Sequence, residues 1–168
     1  MTTYRGSTFS QPDAKFFEWL GRLVSAVAQL EYVVAELTAM VEQKDQTRVD
    51  SLAKGWAQTR DAFNAATATM AAGTLRLDLK SFLCDVEARR DDRNALAHSL
   101  VVLEVEEGWG LEDRPWHHYH PKSRSVTTLP SDAELRDLHA RVGGLTLRGV
   151  RLQSTVADSL RTAEGGEA

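Results

Sequence analysis

Apolar residues recur at alternating steps of four and three from Phe16 to Val41, through Leu20, Leu23, Val27, Leu30, Val34 and Leu37. That spacing is one buried helix face, sustained for about seven turns. Ser10, Pro12 and Asp13 supply the cap and first turn expected of its start, and the polar run Glu42 to Asp45 ends it. A second stripe reads Val49, Leu52, Trp56, Phe63 and Met70, with alanines from Ala62 to Ala72 that favour helix. Gly73 and Thr74 mark a stop and a restart, and so short a link predicts that the next helix is an adjacent, antiparallel neighbour. The third stripe is Leu75, Leu79, Phe82, Val86, Arg89, Arg93, Leu96 and Leu100, in which arginine stands where a core residue is expected.

Beyond His98 the period changes. Val101, Leu103 and Val105 alternate with Val102, Glu104 and Glu106, which is a strand period, and Val126 to Thr128 offers a returning strand. Residues 101–129 therefore read as a hairpin or long loop. The last helix opens at Ser131, whose partner Glu134 completes a capping box. Leu135, Leu138, Val142, Leu145, Leu152 and Val156 form its stripe, and Gly143, Gly144 and Gly149 within it predict a bend. The expected fold is all-α, an up-down bundle of four long helices with a short β-hairpin or loop insert before the last. It divides into a flexible lead at 1–11, one domain at 12–160 and a frayed tail at 161–168.

A chain of 168 residues builds one hydrophobic core. No run approaches the roughly 18 consecutive apolar residues of a membrane span. The polar first residues show no secretory signal, so a cytoplasmic location and no membrane association are expected. The single cysteine, Cys84, excludes an internal disulfide and reads as a small buried hydrophobe. The net charge of -4, with both signs interspersed, argues against a duplex-DNA binder, which needs many cationic phosphate contacts.

The candidate chemistry sits at the end of the third helix. Arg90, Asn94 and His98 share a ridge at steps of four, bordered by the inward Arg93 and the small Ala97, and Arg89, Arg90 and Arg93 crowd together as a local basic site for RNA. Histidine, with an ordinary pKa of about 6.5, can take or give a proton when RNA is cleaved by its own 2'-hydroxyl. Arginine offers a permanently charged planar fork to phosphate oxygens. One histidine does not readily serve as acid and base in one step, so a pair of copies about a two-fold axis suits this chemistry. The structural alternative is an arginine paired with a carboxylate of the first helix, Glu31 or Glu36, and a histidine that caps its helix.

The segment Arg93-Asn94-Ala95-Leu96-Ala97-His98, followed by Ser99, resembles the R-x4-6-H motif of the HEPN superfamily (higher eukaryotes and prokaryotes nucleotide-binding). The bundle architecture is similar as well. The resemblance implies a homodimer and, in many members, metal-independent endoribonuclease activity in toxin, defence or RNA-processing systems, with a protein antitoxin among the expected partners. Arg93 would then stabilise the phosphate, Asn94 would be the adjoining polar residue and His98 the catalytic histidine. Other members are non-catalytic modules that bind nucleotide, RNA or protein, and a purely structural oligomeric bundle is the third alternative.

Trp116-His117-His118-Tyr119-His120 gathers three histidines in the insert. It lacks the defined third and fourth ligands of a zinc site, so neither metal nor cofactor is expected. Stacking of RNA bases on Trp116 or Tyr119, with Lys122 and Arg124 near phosphate, is the functional alternative to packing over the bundle. Trp19 and Trp56 read as core or interface anchors.

Overall fold

The computed structural model describes residues 14–97, 100–103, 116–120, 125–128 and 130–165, with side chains in 14–97 and 130–163. Its elements are α1 (Ala14–Val41), α2 (Gln46–Leu52), α3 (Trp56–Thr69), α4 (Thr74–Ala97), β1 (Leu100–Leu103), β2 (Trp116–His120), β3 (Ser125–Thr128) and α5 (Asp132–Gly165). The expectation of four long helices with a hairpin or loop insert is corrected in two places.

The second stripe is two helices. Gly55 takes an extended conformation (φ -167°, ψ 127°) ahead of α3, and the chain breaks between Leu52 and Trp56. The buried Thr59 hydroxyl donates to the Leu52 carbonyl oxygen at 2.6 Å, and the Thr59 N–H donates to the Gly55 oxygen at 3.1 Å, so the carbonyls at the break are bonded inside the protein. The apolar residues Val49, Leu52 and Trp56 keep helical spacing across this break, which is why periodicity alone did not reveal it.

The second correction concerns the chain before α5. Its described residues form an antiparallel three-stranded sheet in the order β1-β2-β3, not a two-stranded hairpin. Leu100 lies opposite Tyr119 and Leu103 opposite Trp116. The returning strand at Ser125–Thr128 pairs with β2, His117 opposite Thr128 and His120 opposite Ser125. The histidine-rich segment is thus the central strand. It has no apolar alternation to announce it, although tryptophan and tyrosine favour strands.

The chain groups into two compact units. One comprises residues 1–24 and 91–139, the other residues 25–90 and 140–168. In the first, Phe16, Leu23 and Leu135 are buried. In the second, Val27, Leu30, Val34, Leu37, Phe63, Leu79, Phe82 and Val86 are at or near complete burial, and Ala35, Ala39, Val49 and Leu52 form a smaller cluster where α2 returns.

The capping box is formed. The Ser131 N–H and hydroxyl both donate to Glu134 Oε2 at 2.7 Å, and the Glu134 N–H donates to Ser131 Oγ at 3.3 Å. Helix α5 then runs unbroken past all three glycines to Gly165, well into the tail expected to fray. Gly149 is buried, and a Cβ there would lie 2.5 Å from Val33 Cγ1 and 2.9 Å from Phe82 Cζ. It lets α5 approach closely in the second unit. Gly143 and Gly144 are exposed with nothing within 4 Å.

Cys84 is exposed on α4, not buried as expected. By length and composition α1 is apolar enough to cross a membrane, with a mean hydropathy of 1.4 over its best stretch, and 44% of that stretch is buried inside the protein. The expected lead at 1–11 lies outside the described residues.

Candidate functional site

Helix α4 carries the arginine-rich segment and ends at Ala97. In the first unit, Arg93 and Asn94 are half-buried in its last turns. Arg93 makes contacts with its surroundings, as does Asp92. His98, Lys122 and Arg124 lie outside the described residues. Of Trp116 and Tyr119 only the backbone is described, within β2.

In the second unit, Arg89 is half-buried and engaged, and Arg90 is held from two sides. Arg90 Nε donates to Glu31 Oε1 at 2.5 Å, with only 19% and 25% of the two side chains exposed. Its guanidinium also lies 4.6 Å from the centre of the Trp56 ring. A charge-assisted hydrogen bond and a cation–π contact, both partly shielded from water, tie α4 to α1 and α3. Of the two first-helix carboxylates that the sequence offers as partners for Arg93, Glu31 is the one that holds Arg90. Glu36 instead accepts a hydrogen bond from Gln153 on α5 at 2.9 Å. Beside the Glu31 and Trp56 side chains that hold Arg90, a cleft of about 130 Å³ is lined by Ala28, Glu31, Tyr32, Ala53, Trp56 and Thr59.

A second cationic group, which the sequence reading passed over, lies in the first unit. Trp19 of α1 has Arg22 at 4.8 Å and Arg136 of α5 at 5.7 Å from its ring centre. His139 meets the same ring edge-on, with centroids 5.7 Å apart and planes at 67°. Trp19 with Arg22, and Arg136 with His139, are pairs at i and i+3, so each shares a helix face. That spacing was the available signal.

Elsewhere, the Arg48 guanidinium makes two hydrogen bonds to Glu42, at 2.7 and 2.9 Å, and holds the Glu42 carboxyl below the usual carboxylate range. The Ser131 N–H and hydroxyl do the same for Glu134. Among the described residues no group of three or more His, Cys, Asp or Glu is placed to hold a metal ion. No protein-family model, no curated protein and no solved structure matches this chain.

Proposed function

We propose that this chain is a metal-independent endoribonuclease of toxin, defence or RNA-processing type, working as a cytoplasmic homodimer. The observation that carries the reading is Arg93 and Asn94 set half-buried near the end of α4, with His98 five positions after Arg93 in the sequence. In this reaction the RNA 2'-oxygen attacks the adjacent phosphorus and the bond to the 5'-oxygen breaks, leaving a 2',3'-cyclic phosphate. One His98 takes the 2'-hydroxyl proton. His98 of a second copy gives a proton to the departing 5'-oxygen. Arg93 balances the charge that gathers on the phosphate oxygens, and Asn94 orients the imidazole or holds one of those oxygens.

A second reading, a non-catalytic module of the same architecture that binds RNA, nucleotide or protein, draws on Arg90. Its guanidinium already serves Glu31 and Trp56, which makes part of the polar ridge a structural fastening.

The deciding experiment is cleavage of an end-labelled, mixed-sequence RNA in EDTA by the native protein and by His98→Ala. Cyclic-phosphate ends that disappear in the variant support the nuclease. RNA retained on the protein but left intact by both supports the second reading.

A further inference from the structure

We infer that Trp19, Arg22 and Arg136 form a docking surface for the phosphodiester backbone of single-stranded RNA, an inference that rests on the ribonuclease reading. Both guanidinium carbons lie within 5.7 Å of one indole centre, so two cations from different helices are gathered on a single platform. Neither is spent there. The Arg22 and Arg136 side chains are 53% and 62% exposed. Arg22 uses one nitrogen on Glu18, at 2.5 Å. Arg136 faces Asp132 at 3.8 Å, beyond hydrogen-bond reach. Each fork thus keeps N–H donors directed to solvent, and exposed ion pairs of this kind exchange readily for a phosphate.

The indole attracts both guanidinium charges, and their solvent-exposed N–H groups are the donors that phosphate oxygens bind. Edge-on contact with the half-buried His139 holds the ring itself in place. The surface belongs to the same compact unit as Arg93 and Asn94. A strand docked on it has its backbone held by the body that carries the first residues of the motif. Trp19 is already engaged by Arg22, Arg136 and His139, so recognition falls on phosphates and not on stacked bases. Sequence-tolerant binding follows.

The test is binding of a fluorescent single-stranded RNA to His98→Ala protein, with and without Arg22→Gln plus Arg136→Gln, as a function of salt. Loss of two phosphate contacts lowers the slope of log K against log salt by about 1.4 for a single strand. Binding weakens about 25-fold at 0.1 M salt, and the difference vanishes near 1 M. Arg151→Gln, an exposed arginine of the other unit, controls for simple loss of charge and leaves the slope unchanged. A slope unaffected by the double substitution, an equal effect of Arg151→Gln, or no RNA binding by the parent overturns the inference. Cleavage by the native protein is scored separately. Persistent cleavage with binding indifferent to the double substitution removes the docking surface and leaves the nuclease reading standing.

Discussion

Three glycines in one helix give opposite answers to the same substitution. At Gly149 a new Cβ would stand 2.5 Å from Val33 Cγ1 and 2.9 and 3.4 Å from two carbons of the Phe82 ring. Val33 is 7% exposed and Phe82 fully buried, so neither has room to swing away. With both neighbours held, the cost falls in the upper part of the usual overpacking range, about 2–3 kcal/mol, while alanine returns about 1 kcal/mol of helix propensity. Gly149→Ala is therefore expected to lose about 1–2 kcal/mol net. At Gly143 and Gly144 a Cβ meets nothing within 4 Å, so alanine contributes only its propensity, a gain of about 0.5–1 kcal/mol each. For a chain of this size 1 kcal/mol moves Tm by about 2–4 °C. Thermal unfolding followed by circular dichroism should show Gly149→Ala melting about 2–8 °C below the parent, and the other two about 1–4 °C above it. A Gly149→Ala protein as stable as the parent would refute the close approach of α5 to α1 and α4 in the second unit.

Glu31→Gln should destabilise the protein by about 1–3 kcal/mol in urea unfolding, because a charged hydrogen bond is weakened and Arg90 keeps a charge that is largely shielded from water. Trp56→Leu should reduce stability further in the Glu31→Gln background by less than it does alone, since both partners hold one guanidinium; simple additivity would argue against that. Glu42 and Glu134 have folded-state pKa values below their ordinary ones, so each contributes stability above the unfolded value that is lost as pH falls through the folded value. Urea midpoints should accordingly drop below the ordinary carboxylate range and the drop should be smaller in Glu42→Gln. Arg93→Ala should abolish RNA cleavage while leaving the far-ultraviolet spectrum unchanged, and retained cleavage would remove Arg93 from the proposed chemistry.

The helical faces were legible because burial repeats: every member of the first stripe from Phe16 to Leu37, save the half-buried Leu20, is buried. The capping box at Ser131 was legible for a different reason, since its two residues are local and reciprocal. Periodicity failed where it stayed in phase across a break, at Leu52 to Trp56, although Gly55 stood there as a breaker. It failed again at β2, where three histidines conceal a central strand whose definition comes from its neighbours and not from its own composition. Of the candidate site, the arginines of α4 were evident, but the choice of partner was not. Glu31 meets Arg90 through a fold-level juxtaposition of residues 59 positions apart, which no local spacing encodes.

The exposed Cys84 has a practical consequence for any study of association. It is the single thiol in the chain and it is open to solvent on α4, so each molecule accepts one maleimide probe without prior removal of other cysteines. The same accessibility allows two chains to be joined covalently on air oxidation. A dimer seen without reductant can therefore be a chemical artefact of storage. A dimer that persists in reductant, or with Cys84→Ser, is held by non-covalent contacts and reports on the fold.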